Sequence, residues 1–193
     1  MDRRELLKMV ALLTGGSIIG GNMFLASCQS EKKKNAEGEL AFSKTQIALL
    51  NEIADTILPT TAGSPGAKAA DVGSFMTLMV KDCYEPQDQK IFVKGISELD
   101  DQCVKTYSTK FIDSTPEQRL SLLTTIEREA KEHNEKKDAD GKKKHYFTMF
   151  KQLTLLGYFT SEIGCTQALR YVAIPGRYEG DVPYNHGDKL WAT

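Results

Sequence analysis

The sequence predicts a mainly α-helical domain, a bundle of about five helices with an extended, irregular C-terminal tail. Three observations carry this. Apolar residues recur at three- and four-residue steps between Ile47 and Ile163, the spacing that gathers them on one helix face. Ser43-Lys44-Thr45-Gln46 and Thr115-Pro116-Glu117-Gln118 both have the form of a capping box, which marks a helix start. No stretch before Tyr171 alternates with the period of two that a half-buried strand needs.

The first helix is expected over about Lys44 to Leu58, with Ile47, Leu50, Ala54 and Ile57 inward, until Pro59 stops it. Pro59 to Asp71 holds two prolines, two glycines and several small residues. It reads as a loop, either a surface connection or a contact site. A second helix starts at Val72, with Val72, Phe75, Met76 and Met79 on one face, and ends before Pro86. Pro86 suits the first turn of a third, on which Phe92, Ile96, Leu99, Cys103 and Tyr107 line up. The fourth follows Thr115 with Leu120, Leu123, Glu127 and Ala130 as its stripe, and then a Lys/Glu/Asp-rich stretch to Lys144 reads as a solvated loop or a frayed helix end. The fifth spans about His145 to Ile163, turning Tyr146, Phe147, Phe150, Leu153, Leu156 and Gly157 inward. From Tyr171 to Thr193 the glycines and prolines forbid regular structure, while Tyr171, Ile174, Tyr178, Val182, Tyr184 and Trp191 supply apolar surface. Such a tail either packs on its own helices or forms an interface, where aromatic and Arg anchors dominate binding.

The N-terminus has a different character. Asp2-Arg3-Arg4-Glu5-Leu6-Leu7-Lys8 precedes an uncharged run, Met9 to Ser27, interrupted by Gly15, Gly16, Gly20 and Gly21. The Arg3-Arg4 pair resembles the twin-arginine export motif, which carries folded protein. Asp2 and Leu6 depart from that pattern, so a general secretory signal stays open. Leu25-Ala26-Ser27-Cys28 resembles a bacterial lipobox. Cleavage there makes residues 1–27 a signal peptide and Cys28 a lipidated N-terminus, and two or more acyl chains anchor a protein stably, at roughly 0.8 kcal/mol per buried methylene. Residues 28–41 are too polar and Lys/Glu-rich to bury a core and read as a flexible linker. Residues 42–193 form the domain. The expected location is a bacterial envelope membrane, facing the periplasm.

The chain's 25 basic and 26 acidic residues nearly cancel, which gives no electrostatic case for nucleic acid. Runs at Lys32 to Lys34 and Lys142 to Lys144 read as solvated tether and loop. With Cys28 lipidated, Cys83, Cys103 and Cys165 are an odd set, so at least one thiol stays unpaired. A Cys83–Cys103 bridge is conceivable, but each is expected as a small buried hydrophobe. His133, His145 and His186 are scattered, without HxxxH or HExxH spacing, so no metal site is expected.

Several blocks carry a family resemblance. Glu52-Ile53-Ala54-Asp55-Thr56-Ile57-Leu58-Pro59 with Ser64-Pro65-Gly66-Ala67-Lys68-Ala69-Ala70, then Gly157-Tyr158-Phe159-Thr160-Ser161-Glu162-Ile163-Gly164, Ala168-Leu169-Arg170-Tyr171, Pro175-Gly176-Arg177-Tyr178 and Gly180-Asp181-Val182-Pro183 together resemble the gluconate 2-dehydrogenase subunit 3 family. The resemblance implies a small accessory subunit beside a large flavoprotein of the glucose-methanol-choline type, often with a multihaem cytochrome c. In that arrangement FAD sits in the large subunit, which oxidises a sugar or polyol hydroxyl, and haem c in a third. No cofactor, metal or catalytic residue is expected on this chain, and a signal-less flavoprotein could be exported with it already folded.

The residues themselves agree that hydride chemistry lies elsewhere, since the phosphate-cradling GxGxxG after a strand is missing from the domain. Glu162 is the best isolated carboxylate, read first as a structural partner of Arg170. Glu52 and Asp55 read as helix-surface or loop-anchoring groups. The expected interface is the Pro59 to Ala70 loop with the Arg170 to Trp191 tail, anchored by Tyr171, Arg177, Tyr178 and Trp191. The rival expectation is a free-standing envelope lipoprotein that binds a ligand or another protein.

Overall fold

The computed structural model describes residues 40–140, 144–174, 176–177 and 180–192, the side chains of 136–140 excepted. The leader with Arg3 and Arg4, the lipobox with Cys28, the linker as far as Glu39, and Tyr178 lie outside the described residues.

Among the described residues five α-helices follow one another: α1 Lys44–Ile57, α2 Val72–Cys83, α3 Pro86–Tyr107, α4 Pro116–Asp140 and α5 Tyr146–Phe159. Short 3₁₀ turns at Ala67–Ala70 and Phe111–Asp113 and a π turn at Gly164–Ala168 punctuate them. The starts are written in side chains. Ser43 Oγ accepts from Gln46 N (3.2 Å) while Gln46 Oε1 accepts from Ser43 N (2.9 Å), and Thr115 with Gln118 repeats the exchange at α4. Each box satisfies two amide donors that the first helical turn leaves without partners. The start of α2 is completed from α1 instead: Asn51 Oδ1 accepts from Gly73 N (2.7 Å) and Asn51 Nδ2 donates to Asp71 (2.8 Å). At α5 the cap is His145, whose Nδ1 accepts from Phe147 N (3.2 Å).

From Ala41 to Thr193 the chain is one compact unit, organised around α5, which packs against each of the other four helices. Tyr146, Phe147, Met149, Phe150, Leu153, Thr154, Gly157 and Tyr158 are all buried, too many for one stripe. A helix apolar on several faces belongs inside a bundle. Phe150 meets Phe92 of α3 edge to face with ring centres 4.8 Å apart, and buried Thr154 satisfies its hydroxyl on Phe150 O (2.8 Å). Gly157 lets α2 come close, because a Cβ there would stand 2.5 Å from the Phe75 ring. Leu50, Ile53 and Ala54 of α1, Met76 and Val80 of α2, Leu99 and Cys103 of α3, and Ile126 of α4 complete the core.

Several expectations need correction. Leu120 (58% exposed) and Leu156 (46% exposed) face outward; Leu122, Leu123 and Ile126 bury α4, and around Leu156 the buried positions are Leu153, Thr154, Gly157 and Tyr158. Of the two alternatives for the charged stretch after Ala130, the helix end is the one realised, continuing through Asp140. Asn134 holds it there, donating to Thr148 Oγ1 (2.9 Å) and accepting from His145 N (3.4 Å). Helix α5 stops at Phe159, short of Ile163, where the chain tightens through Thr160 and re-enters as the π turn. Cys103 is buried beside Ser114 Oγ (3.2 Å), but Cys83 is exposed at the end of α2 and Cys165 is half-buried, and all three are free thiols.

Candidate docking surface

The loop after α1 is held from three sides. Glu52, whose side chain is only 13% exposed, forms ion pairs with Lys68 of the loop and Arg119 of α4. Burial pushes the Glu52 carboxyl up, but the Lys68 hydrogen bond and the charges of Arg119 and Lys68 outweigh it and hold the carboxyl below its ordinary value. Asp55 Oδ1 accepts from Lys68 N (3.3 Å), Thr60 Oγ1 accepts from Gly66 N (2.9 Å), and Tyr158 of α5 donates its hydroxyl to Pro65 O (2.5 Å). A Cβ on Gly66 would lie 2.3 Å from Asp55 Oδ1 and 2.8 Å from Thr60 N. The sequence blocks around Glu52, Pro65 and Tyr158 therefore meet in space, and their job there is to shape one loop. Glu52 and Asp55 are loop anchors, as their positions implied.

The tail leaves the π turn beside that loop. Arg170 N donates to Leu190 O (2.8 Å) and Ala192 N to Arg170 O (2.9 Å), a single parallel bridge between Arg170 and Trp191. The Arg170 guanidinium lies over the Trp191 ring, its carbon 4.1 Å from the ring centre. Arg170 thus turns to Trp191, while Glu162 is exposed at the head of the π turn. Lys189 Nζ donates to Gln167 O and to Gly63 O, the latter at 3.2 Å. That ammonium joins the tail to the tip of the loop.

Tyr171 (53% exposed) and Trp191 (47%) stand on the outside of this assembly, and Arg177 is exposed. Around them Val172, Ile174, Tyr184 and Leu190 are also exposed, Ile174 at 86%. Scattered surface apolar residues are ordinary, whereas exposed apolar residues gathered in one patch are typical of binding surfaces, which makes this segment the candidate. Lys189 and Arg170 escaped the sequence-based list of anchors, because one hydrogen bond across 126 positions leaves no periodic signal.

Elsewhere the titratable groups read as structure. Burial, with the nearby His133 charge, holds the His145 imidazole below its ordinary value against the opposing pull of Glu129 and Glu98. Burial also raises the Tyr146 phenol. Among the described residues no three His, Cys, Asp or Glu side chains are grouped to hold a metal ion, and no helix is long and apolar enough to cross a membrane.

Comparison with known proteins agrees with the motif reading. The family model for gluconate 2-dehydrogenase subunit 3 matches residues 44–176, from the first turn of α1 into the tail. No curated protein and no solved structure gives a significant match. With well over half of its length matched, the chain belongs to the gluconate 2-dehydrogenase subunit 3 family, accessory subunits of an oxidoreductase complex.

Proposed function

We propose that this chain is the export, anchoring and docking subunit of an FAD-dependent sugar or polyol dehydrogenase. Its leader carries the complex across the membrane, lipid on Cys28 holds it at the envelope facing the periplasm, and the surface formed by the Pro59 to Ala70 loop and the tail grips the large flavoprotein. A cytochrome c completes the electron path in a third subunit. Chemistry is left to the partner; the contribution of this chain is positional. Holding the flavoprotein at the membrane raises the local concentration at which it meets its electron acceptor.

The observation that carries the reading is the exposed aromatic tail clasped to a braced loop. Tyr171, Ile174, Tyr184 and Trp191 present exposed apolar area on the tail, which Lys189 joins to a loop that Glu52, Asp55 and Tyr158 hold in shape, and pre-shaped surfaces bind at less entropic cost. The test is purification of the full chain from native envelopes. A flavin-containing subunit is expected with it, Tyr171→Ala with Tyr184→Ala cutting flavin recovery at least tenfold and Cys28→Ala moving the complex to the soluble fraction. A chain recovered alone and without flavin overturns the reading.

A further inference from the structure

Arg170 poses a question that the docking surface alone does not answer. Its Nε is buried and has no hydrogen-bond partner, although buried donors are nearly always paired and an orphan calls for an explanation. One face of the guanidinium is covered by Trp191, and its backbone N–H and C=O are already used in the Leu190 and Ala192 bridge. Lys189, two residues before Trp191, is engaged with the carbonyls of Gly63 and Gln167. Exposed Tyr171, Val172 and Leu190 flank the pair in sequence. A positively charged fork thus lies over an aromatic ring, beside exposed apolar residues, with a donor unmet.

We propose that Arg170, laid on Trp191, is the receptor for a carboxylate of an Asp or Glu side chain on the docked flavoprotein. The proposal rests on the docking role above and names the group that the partner must present. Guanidinium geometry favours a carboxylate, which takes two of its N–H donors at once, over a neutral acceptor. Stacking on Trp191 fixes the fork before the partner arrives, so little freedom is lost on pairing. Arg170 as a residue is half-buried, so the carboxylate meets its guanidinium from the solvent side while Trp191 keeps its place, and the apolar side chains flanking the pair exclude water from it, which strengthens it.

The test measures binding of the full chain to the flavoprotein subunit purified from the native complex, at low and at high salt. Arg170→Met is expected to raise Kd on the order of 30-fold or more at low salt and to remove most of the salt dependence that the native chain shows. Tyr184→Ala weakens binding too but keeps the salt dependence. Trp191 is the single tryptophan of the chain, so its emission reports whether each variant keeps the tail packed. Should Arg170→Met disturb it, Arg170→Lys serves, with unchanged emission and a loss of at least tenfold expected. If the variant with an intact tail binds within threefold of the native chain with the same salt dependence, the carboxylate receptor is wrong and the docking role stands. If the native chain does not bind the flavoprotein at all, both fall.

Discussion

Glu52 and Arg119 lie 67 positions apart and form a part-buried ion pair between α1 and α4. Arg119 also donates to the carbonyls of Phe111 and Ile112 and places its guanidinium over the Phe111 ring, so one side chain ties three segments. Glu52 in turn reaches Lys68. Removing either partner leaves the other's charge poorly compensated, and charge-assisted bonds of this kind contribute about 1.5–3 kcal/mol each. Arg119→Ala is expected to lower stability by roughly 3 kcal/mol and Glu52→Gln by about 2 kcal/mol in urea unfolding. A change below about 0.5 kcal/mol for both would remove the pair from any account of the loop.

The same carboxylate sets an acid limit. Its folded pKa lies below the ordinary 4.5, so the stability it contributes is fully present above that value and is lost as pH falls through the lower, folded value. Native protein is expected to lose melting temperature steeply below about pH 4.5. Glu52→Gln has no proton to take up and flattens that part of the curve. Equal slopes in the two proteins would assign the acid limit to other groups.

Gly66 is fixed by contact. With Asp55 Oδ1 and the Thr60 amide both closer than 3 Å to the place a Cβ would take, Gly66→Ala must push the loop off its anchors, and overpacking of this kind costs about 1–3 kcal/mol. Gly63, with open space around it, is the control: Gly63→Ala is expected to stay within about 0.5 kcal/mol. Thermal melts of the two variants decide the matter.

These cases show what a one-dimensional reading can reach. Both capping boxes, the proline at the head of α3 and the apolar steps of α2 and α3 are local, and each was legible because the signal and its partner lie within a turn or two. Leu120 misled because three leucines, Leu120, Leu122 and Leu123, crowd the first turns of α4, and Leu156 because α5 is apolar on several faces; spacing alone does not say which leucine wins the core. The charged end of α4 gave no apolar period; it is kept helical by Asn134 reaching Thr148. The loop and tail could be named as a surface from their composition, but Asn51 capping α2, Tyr158 holding Pro65 and Lys189 holding Gly63 are single bonds between distant residues. Such bonds have no sequence period to read.

His145 offers a second, separate acid window. As a cap its Nδ1 must accept from Phe147 N, which only the neutral ring can do. The imidazole value is depressed by burial and His133, so folding favours the neutral form. Stability is complete above the unfolded value near 6.5 and falls as pH drops from there towards the folded value. A shallow loss of melting temperature beginning near pH 6.5 is expected, above the Glu52 limit. His145→Asn keeps a capping side chain without the titration and should abolish the upper step alone.

Lys189 tests whether tail and loop behave as one surface. Its ammonium is the link from the tail to Gly63, and it also closes on Gln167, but it is solvent-exposed and belongs to the tail, outside the helices. Lys189→Met should therefore leave global unfolding within about 0.5 kcal/mol of native. Its effect belongs to a local opening, in which the Arg170–Trp191 bridge separates while the helices stay folded. The reporters are the amides of Arg170 and Ala192, which donate to Leu190 O and Arg170 O in that bridge. A local loss of about 1 kcal/mol makes them exchange roughly fivefold faster, whereas amides inside α5 keep native rates. Faster exchange throughout would mean that Lys189 supports the whole fold, and no change at the two bridge amides would mean that the tail holds its place without the loop.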